Sequence, residues 1–134
     1  MIVDTSALVA VITLEPEASV FAAAMQDADM LRISAGSYVE AAVVLNRRRD
    51  PALEGKLEAL LEEVGFVIEP VTVEQARIAR QAYRDYGKGS GHPAQLNFGD
   101  CFSYALARDK REPILFKGDD FGHTDLRSAL TQQA

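Results

Sequence analysis

The chain has 134 residues, of which 48% are hydrophobic, enough to fill the core of one domain and too apolar for a disordered segment. Against 14 basic residues stand 20 acidic ones, a net charge of -6, and that bulk acidity argues against a general nucleic-acid binder. The single cysteine, Cys101, excludes an internal disulfide and fits a reducing cytoplasm, and no stretch approaches the ~20 apolar residues that a membrane span requires.

Ile2 and Val3 are β-branched and apolar, as a buried parallel strand requires, and Asp4 ends that run. The apolar stretch beyond Asp4 is short and no basic segment precedes it, so it reads as a helix and not as a secretory signal. Thr5 or Ser6 caps this helix, which carries Ala7, Leu8, Val11 and Ile12. Glu15-Pro16-Glu17 opens a second helix with Pro16 at its first position; Val20, Phe21, Ala24 and Met25 form its apolar face. Residues 30–33 make a second strand, and 34–49 a helix with Val39, Val43 and Val44. Asp50-Pro51 breaks that helix and starts the next, in which Leu57, Leu60, Leu61 and Val64 form one stripe before Gly65 ends it. Residues 66–68 are a third strand. Thr72-Val-Glu-Gln75 is a capping box that opens a long helix through Ile78, Ala82 and Tyr83, and 87–93 is a flexible, Gly-rich loop. Asn97 caps a helix running to about Lys110; Pro113-Ile-Leu-Phe116 is a fourth strand, Gly118-Asp-Asp-Phe-Gly122 a turn, and the tail from Asp125 one last short helix. No repeat, low-complexity tract or linker divides the chain, so residues 1–134 are expected to form a single domain. Strands alternating with helices predict a small parallel sheet covered on both faces, an α/β fold in three layers.

Right-handed crossovers gather the carboxyl ends of parallel strands on one edge, and in open α/β sheets ligands bind there. Asp4 follows the first strand, and Asp119 and Asp120 follow the fourth. If those strands are neighbours, their carboxylates meet. Glu40, early in the helix after strand two, and Asp100, in the first turn of the helix capped by Asn97, can face the same edge. Like charges at such spacing repel by several kcal/mol at intermediate dielectric (about 4 kcal/mol at 4 Å). Either some are protonated or a cation neutralises them. With no cysteine or histidine cluster for zinc, an oxygen-only ligand set selects a hard cation, Mg²⁺ or Mn²⁺, and a carboxylate-bound Mg²⁺ is a device for phosphodiester hydrolysis. Each acid also has an ordinary structural role open to it. Ser37-x-x-Glu40 and Asn97-x-x-Asp100 match the capping box, and Asp4, Asp119 and Asp120 suit turns. The joint placement, not any single residue, argues for a site.

The same stretches resemble those of PIN-domain proteins, and among them the VapC toxins of prokaryotic toxin–antitoxin pairs. Ile2-Val-Asp-Thr-Ser-Ala-Leu8 resembles the family's opening, Ser37-Tyr-Val-Glu-Ala41 the segment of its second acid, Leu96 to Ala107 its third acid and helix, and Leu115 to Asp125 its last strand and turn. The resemblance spans the chain. It implies a three-layer α/β/α PIN-like domain with a small central parallel sheet, acting as a metal-dependent endoribonuclease that arrests translation. It also implies a cognate VapB-like antitoxin as inhibitor and a homodimer. On this resemblance Asp4 and Asp100 are the principal metal ligands, and Glu40 completes the pocket or orients the metal-bound water. Asp120 is the fourth acid, with Asp119 as its alternative. In-line attack of water on an RNA phosphodiester is expected, leaving a 5′-phosphate and a 3′-hydroxyl.

Arg77, Arg80 and Arg84 form a basic stripe on the long helix, extended by Lys88 and His92 in the next loop; it suits RNA phosphates or is a solvated helix face. Arg47, Arg48 and Arg49 near a helix end complement the helix dipole. The Gly87-Lys-Gly-Ser segment lacks the spacing of a phosphate-binding loop. Cys101 reads as a small core residue, and Ser6 as a cap or a partner of a metal-bound water. Two other classes stand beside the nuclease: a non-catalytic module that holds a metal and docks RNA or protein, and a phosphoacceptor like a response regulator. The latter would use Lys117 after the last strand, but no Asp closes a central strand mid-chain. An acidic pocket also invites an arginine or lysine from a basic or amphipathic segment of a partner.

Overall fold

The computed structural model describes residues 1–130. Strands β1 (Ile2–Val3), β2 (Arg32–Ser34), β3 (Val67–Glu69) and β4 (Ile114–Leu115) form one parallel sheet in the order β3-β2-β1-β4. Ile2 pairs with Arg32 on one side and Ile114 on the other, and Val3 pairs with Leu115. Successive strand side chains point to opposite faces. Val3, Ile33 and Leu115 therefore enter one core, and Ile2 and Ile114 the other. Helices α1 (Thr5–Ile12), α2 (Ala18–Asp27), α3 (Ala35–Asn46) and α4 (Ala52–Val64) fill the first with Leu8, Phe21, Met25, Leu45 and Leu57. Helices α5 (Val73–Tyr86) and α6 (Asp100–Lys110) fill the second with Ala82, Tyr104 and Leu106. The result is the expected α/β/α layering, with both faces of the parallel sheet covered.

Several local expectations shift. Asp4, not Thr5 or Ser6, is the N-cap of α1, its carboxylate accepting from the Ser6 N–H. Helix α2 begins at Ala18, beyond the predicted start at Pro16, with Glu17 as its N-cap. Ser34 caps α3 by accepting from Gly36 N–H, so Ser37 and Glu40 lie inside the helix and their capping box does not form. Helix α3 stops at Asn46; Arg49 takes φ +58, so the three arginines form its exit turn. Strands β2 and β3 sit about one residue later than their apolar runs, in the register that pairs Arg32 with Val67. The Gly-rich loop is pinned at its base, where Leu96 N–H donates to Tyr86 O at 2.8 Å and Lys88 N–H to Leu96 O at 2.9 Å. Within residues 125–130 no helix forms; Ser128 bridges to Ile114 instead, and the rest of the expected tail helix lies outside the described residues.

The strand order positions everything that follows. The chain steps outward from β1 to β2 to β3, then returns to place β4 on the free side of β1. The chain leaves β1 over the face covered by α1–α4 and reaches β4 over the face covered by α5 and α6, and at such a switch point a crevice opens at the strands' carboxyl ends. The opposite, amino edge is closed by ion pairs. The Met1 ammonium donates to Glu112 at 2.6 Å, and Arg32 donates to Glu112 at 2.8 Å and to Glu69 at 2.7 Å.

Candidate active site

Asp4 leaves β1 into that crevice and is 2% exposed. Its Oδ2 accepts from Ser6 N–H at 3.0 Å and from the Ser6 hydroxyl at 2.7 Å; its Oδ1 accepts from the Ser103 hydroxyl at 2.6 Å. Three hydrogen bonds fix the orientation of the carboxylate. Ser6 Oγ also accepts from Lys117 N–H at 3.0 Å, tying the end of β1 to the end of β4. Lys117 itself turns away and pairs with Glu15 at 2.8 Å and Glu17 at 3.4 Å, which removes it from the role a phosphoacceptor site would give it.

Asp100 starts α6, and its capping box is real: Asn97 N–H donates to Asp100 Oδ2 at 3.0 Å, and Asp100 N–H donates to Asn97 Oδ1 at 2.9 Å. Asp100 is nonetheless pushed up to about 7, first by burial and then by the charges of Asp4, Asp120 and Glu40, against the Asn97 N–H. Glu40 is raised by burial and by Asp4, with Thr5 pulling the other way. Gly99 lies directly against it: a Cβ added there would collide with the Glu40 carboxylate. The structure thus brings Asp4, Glu40, Asp100 and Asp120 into one field. Asp119 does not join them and lines a separate groove with His123 and Arg127.

None of the four forms an ion pair among the described residues. Acids at the amino edge have cationic partners; these do not. Oxygen donors alone, charged and crowded, fit a hard divalent cation. Among the described residues no three Asp, Glu, His or Cys side chains stand as a ready-made metal cage. Mg²⁺ does not need such a cage, since it usually takes one or two carboxylates and keeps several waters.

Sequence reasoning did not find Ser103, nor the role of Ser37. Both are 0% exposed, and their hydroxyls lie 2.9 Å apart. The only available signal was position: each sits one turn from an acid, Ser37 before Glu40 and Ser103 after Asp100. Among the basic candidates, Arg77 pairs loosely with Glu74 at 3.8 Å and Arg84 donates to Gln81. Arg80 and Arg84 border an apolar groove lined by Tyr83, Phe98 and Phe102. Lys88 and His92 are in the pinned loop, where His92 stacks edge-on with Tyr86. Cys101 is buried, as expected of a core residue.

The class that this fold and acid cluster define is the PIN domain: the family model of that description matches residues 1–126. Ribonuclease VapC28 of Mycobacterium tuberculosis is 56% identical over 99% of this chain and 100% of its own length. Ribonuclease VapC42 of the same species is 51% identical over 98% of this chain and 100% of its own. The chain belongs to the PIN-domain family and, within it, to the VapC ribonucleases. The crystal structure of M. tuberculosis VapC20, a toxin that cleaves the sarcin–ricin loop, shares the fold with a TM-score of 0.75 at 18% identity, covering 93% of this chain and 95% of that one. Among the described residues no helix is long and apolar enough to cross a membrane.

Proposed function

We propose that this protein is a Mg²⁺- or Mn²⁺-dependent endoribonuclease, the toxin of a toxin–antitoxin pair, which arrests translation by hydrolysing RNA. The observation that carries this reading is the uncompensated cluster of Asp4, Glu40, Asp100 and Asp120 at the junction of β1 and β4, with Asp100 raised to about 7 by burial first and by the neighbouring acids second. The names of relatives at 51 to 56% identity support the ribonuclease class. Asp4 and Asp100 would hold the cation, which would supply charge neutralisation and an activated water. Asp4 presents a fixed carboxylate, because Ser6 and Ser103 set its orientation. Glu40, raised by burial, would accept a proton of the attacking water at its carboxylate. Water oxygen would bond to phosphorus as the bond to the 3′-oxygen breaks; the leaving 3′-oxygen takes a proton from solvent, so that a 5′-phosphate and a 3′-hydroxyl result. Asp120 closes the far side of the pocket. Arg80 and Arg84, which border the groove of Tyr83 and Phe102, would contact RNA phosphates.

Two partners belong to the same reading. A VapB-like antitoxin would place a basic side chain among the four acids and exclude the cation. A second copy of the chain would cover the exposed apolar side chains of Val39 on α3, Val73 on α5 and Phe98, which are 61, 68 and 77% exposed. The experiment is cleavage of a panel of structured RNAs with Mg²⁺ by the wild-type and Asp4→Asn proteins at matched folding. Loss of cleavage in the variant is expected; equal cleavage by both would end the assignment.

A further inference from the structure

Within the reading of the acid cluster as a divalent-metal site, we propose that Ser103 and Ser37 are its positioning residues, a buried hydroxyl pair that fixes Asp4 and the spacing of the helices bearing Glu40 and Asp100. The direction of the hydrogen bonds follows from chemistry. The ionised Asp4 carboxylate has no proton to give, so Ser103 Oγ–H donates to Oδ1. Having spent its proton, Ser103 accepts from Ser37 at 2.9 Å. Two hydroxyl dipoles therefore align head to tail toward one carboxylate oxygen. Thr5, next to Asp4, donates to Ser37 O at 3.2 Å and closes the ring of elements.

The placement is specific to the acids. Ser37 is one helical turn before Glu40 on α3, and Ser103 one turn after Asp100 on α6. The pair thus clamps α3 to α6 and both to the end of β1, in direct contact with Asp4 and one turn along the helix from Glu40 and from Asp100. Every buried side-chain polar atom among the described residues has a partner, so the pair does not serve as stray polar filler. It occupies the one Asp4 oxygen that Ser6 leaves free, and so decides how the carboxylate faces the crevice. Groups that orient a metal ligand in this way typically alter metal affinity 10- to 100-fold when removed.

The test is calorimetric titration of the full chain with Mn²⁺ alone, without RNA, at a melting temperature checked for each protein. Ser103→Ala is expected to weaken Mn²⁺ binding about tenfold or more, and Ser37→Ala to weaken it less, since Ser37 acts only through Ser103. Should Ser103→Ala not fold, Ser103→Cys keeps the volume but offers a weak donor and is expected to shift affinity the same way. Wild-type affinity in a folded Ser103 variant would overturn the proposal, because a merely structural pair would change stability alone. A wild-type protein that binds no Mn²⁺ would overturn the metal reading itself and the positioning role with it.

Discussion

Replacing Gly99 with alanine separates the folding role of this position from its role at the acid cluster. Gly99 has φ -64 and ψ -37, ordinary helical values that alanine adopts freely, so the backbone gains stability by roughly 0.4–1 kcal/mol from the stiffer unfolded chain. The added methyl meets only the far end of the Glu40 side chain. Glu40 must leave its rotamer, at a cost on the order of 0.5–1.5 kcal/mol. The two effects nearly cancel, and the melting temperature should move by no more than about 4 °C, the change that ~1 kcal/mol makes in a domain between the roughly 100- and 150-residue classes. Activity should not be spared. A displacement of about 1 Å in a positioned catalytic group can cost roughly 100-fold, so RNA cleavage is expected to fall 10- to 100-fold with the fold intact. Thermal melting by circular dichroism and initial cleavage rates with Mg²⁺ read the two quantities. A double variant, Glu40→Gln with Gly99→Ala, should lose no more activity than Glu40→Gln alone, because the alanine acts only through Glu40. Full activity in Gly99→Ala, or additive losses in the double variant, would refute the contact as a functional one.

Asp100 makes stability depend on pH in the direction opposite to most carboxylates. Its folded pKa of about 7 lies above the ordinary 3.8, so the native state binds the proton more tightly than the unfolded chain. Without metal, stability is therefore fully supported below about pH 4 and declines as pH rises through 7. The interval caps the effect at about 4 kcal/mol, and partial solvent access reduces it to roughly 2 kcal/mol. Urea denaturation of metal-free protein from pH 4 to 8 should lose this slope in Asp100→Asn; an unchanged slope would place the proton elsewhere. If the proposed dimer forms, Phe98→Glu should convert it into a folded monomer in sedimentation velocity, since so exposed a ring contributes little to the protomer's own core; a wild-type monomer, or a dimer unchanged by the substitution, would refute this interface.

Much of the architecture was legible from local pattern. The runs around Ile2, Ile33, Ile68 and Ile114 are strands because β-branched residues suit a pleated buried surface, and the stripe through Leu57 and Leu61 is a helix for its spacing. Gly65, with φ +84, ends its helix as expected, and the Thr72 cap and the Asn97–Asp100 box form where read. Asp4 at the end of a first strand was visible in the same way.

What the chain order could not reveal was decided by contacts between distant segments. Only the order β3-β2-β1-β4 puts the exits of β1 and β4 side by side, so that Asp120 and not Asp119 enters the field of Asp100. Glu40 is free for the cluster because Ser34 takes the capping task, a choice made by where β2 ends in the sheet. Ser103 meets Asp4 across 99 positions of sequence, and no periodicity encodes such a pair. Hydrophobic alternation and capping chemistry act over a few residues and can be read along the chain. The mutual approach of like charges costs energy in every local view, and it persists only because two packed cores, assembled from the three crossovers between the four strands, hold the acids where they are.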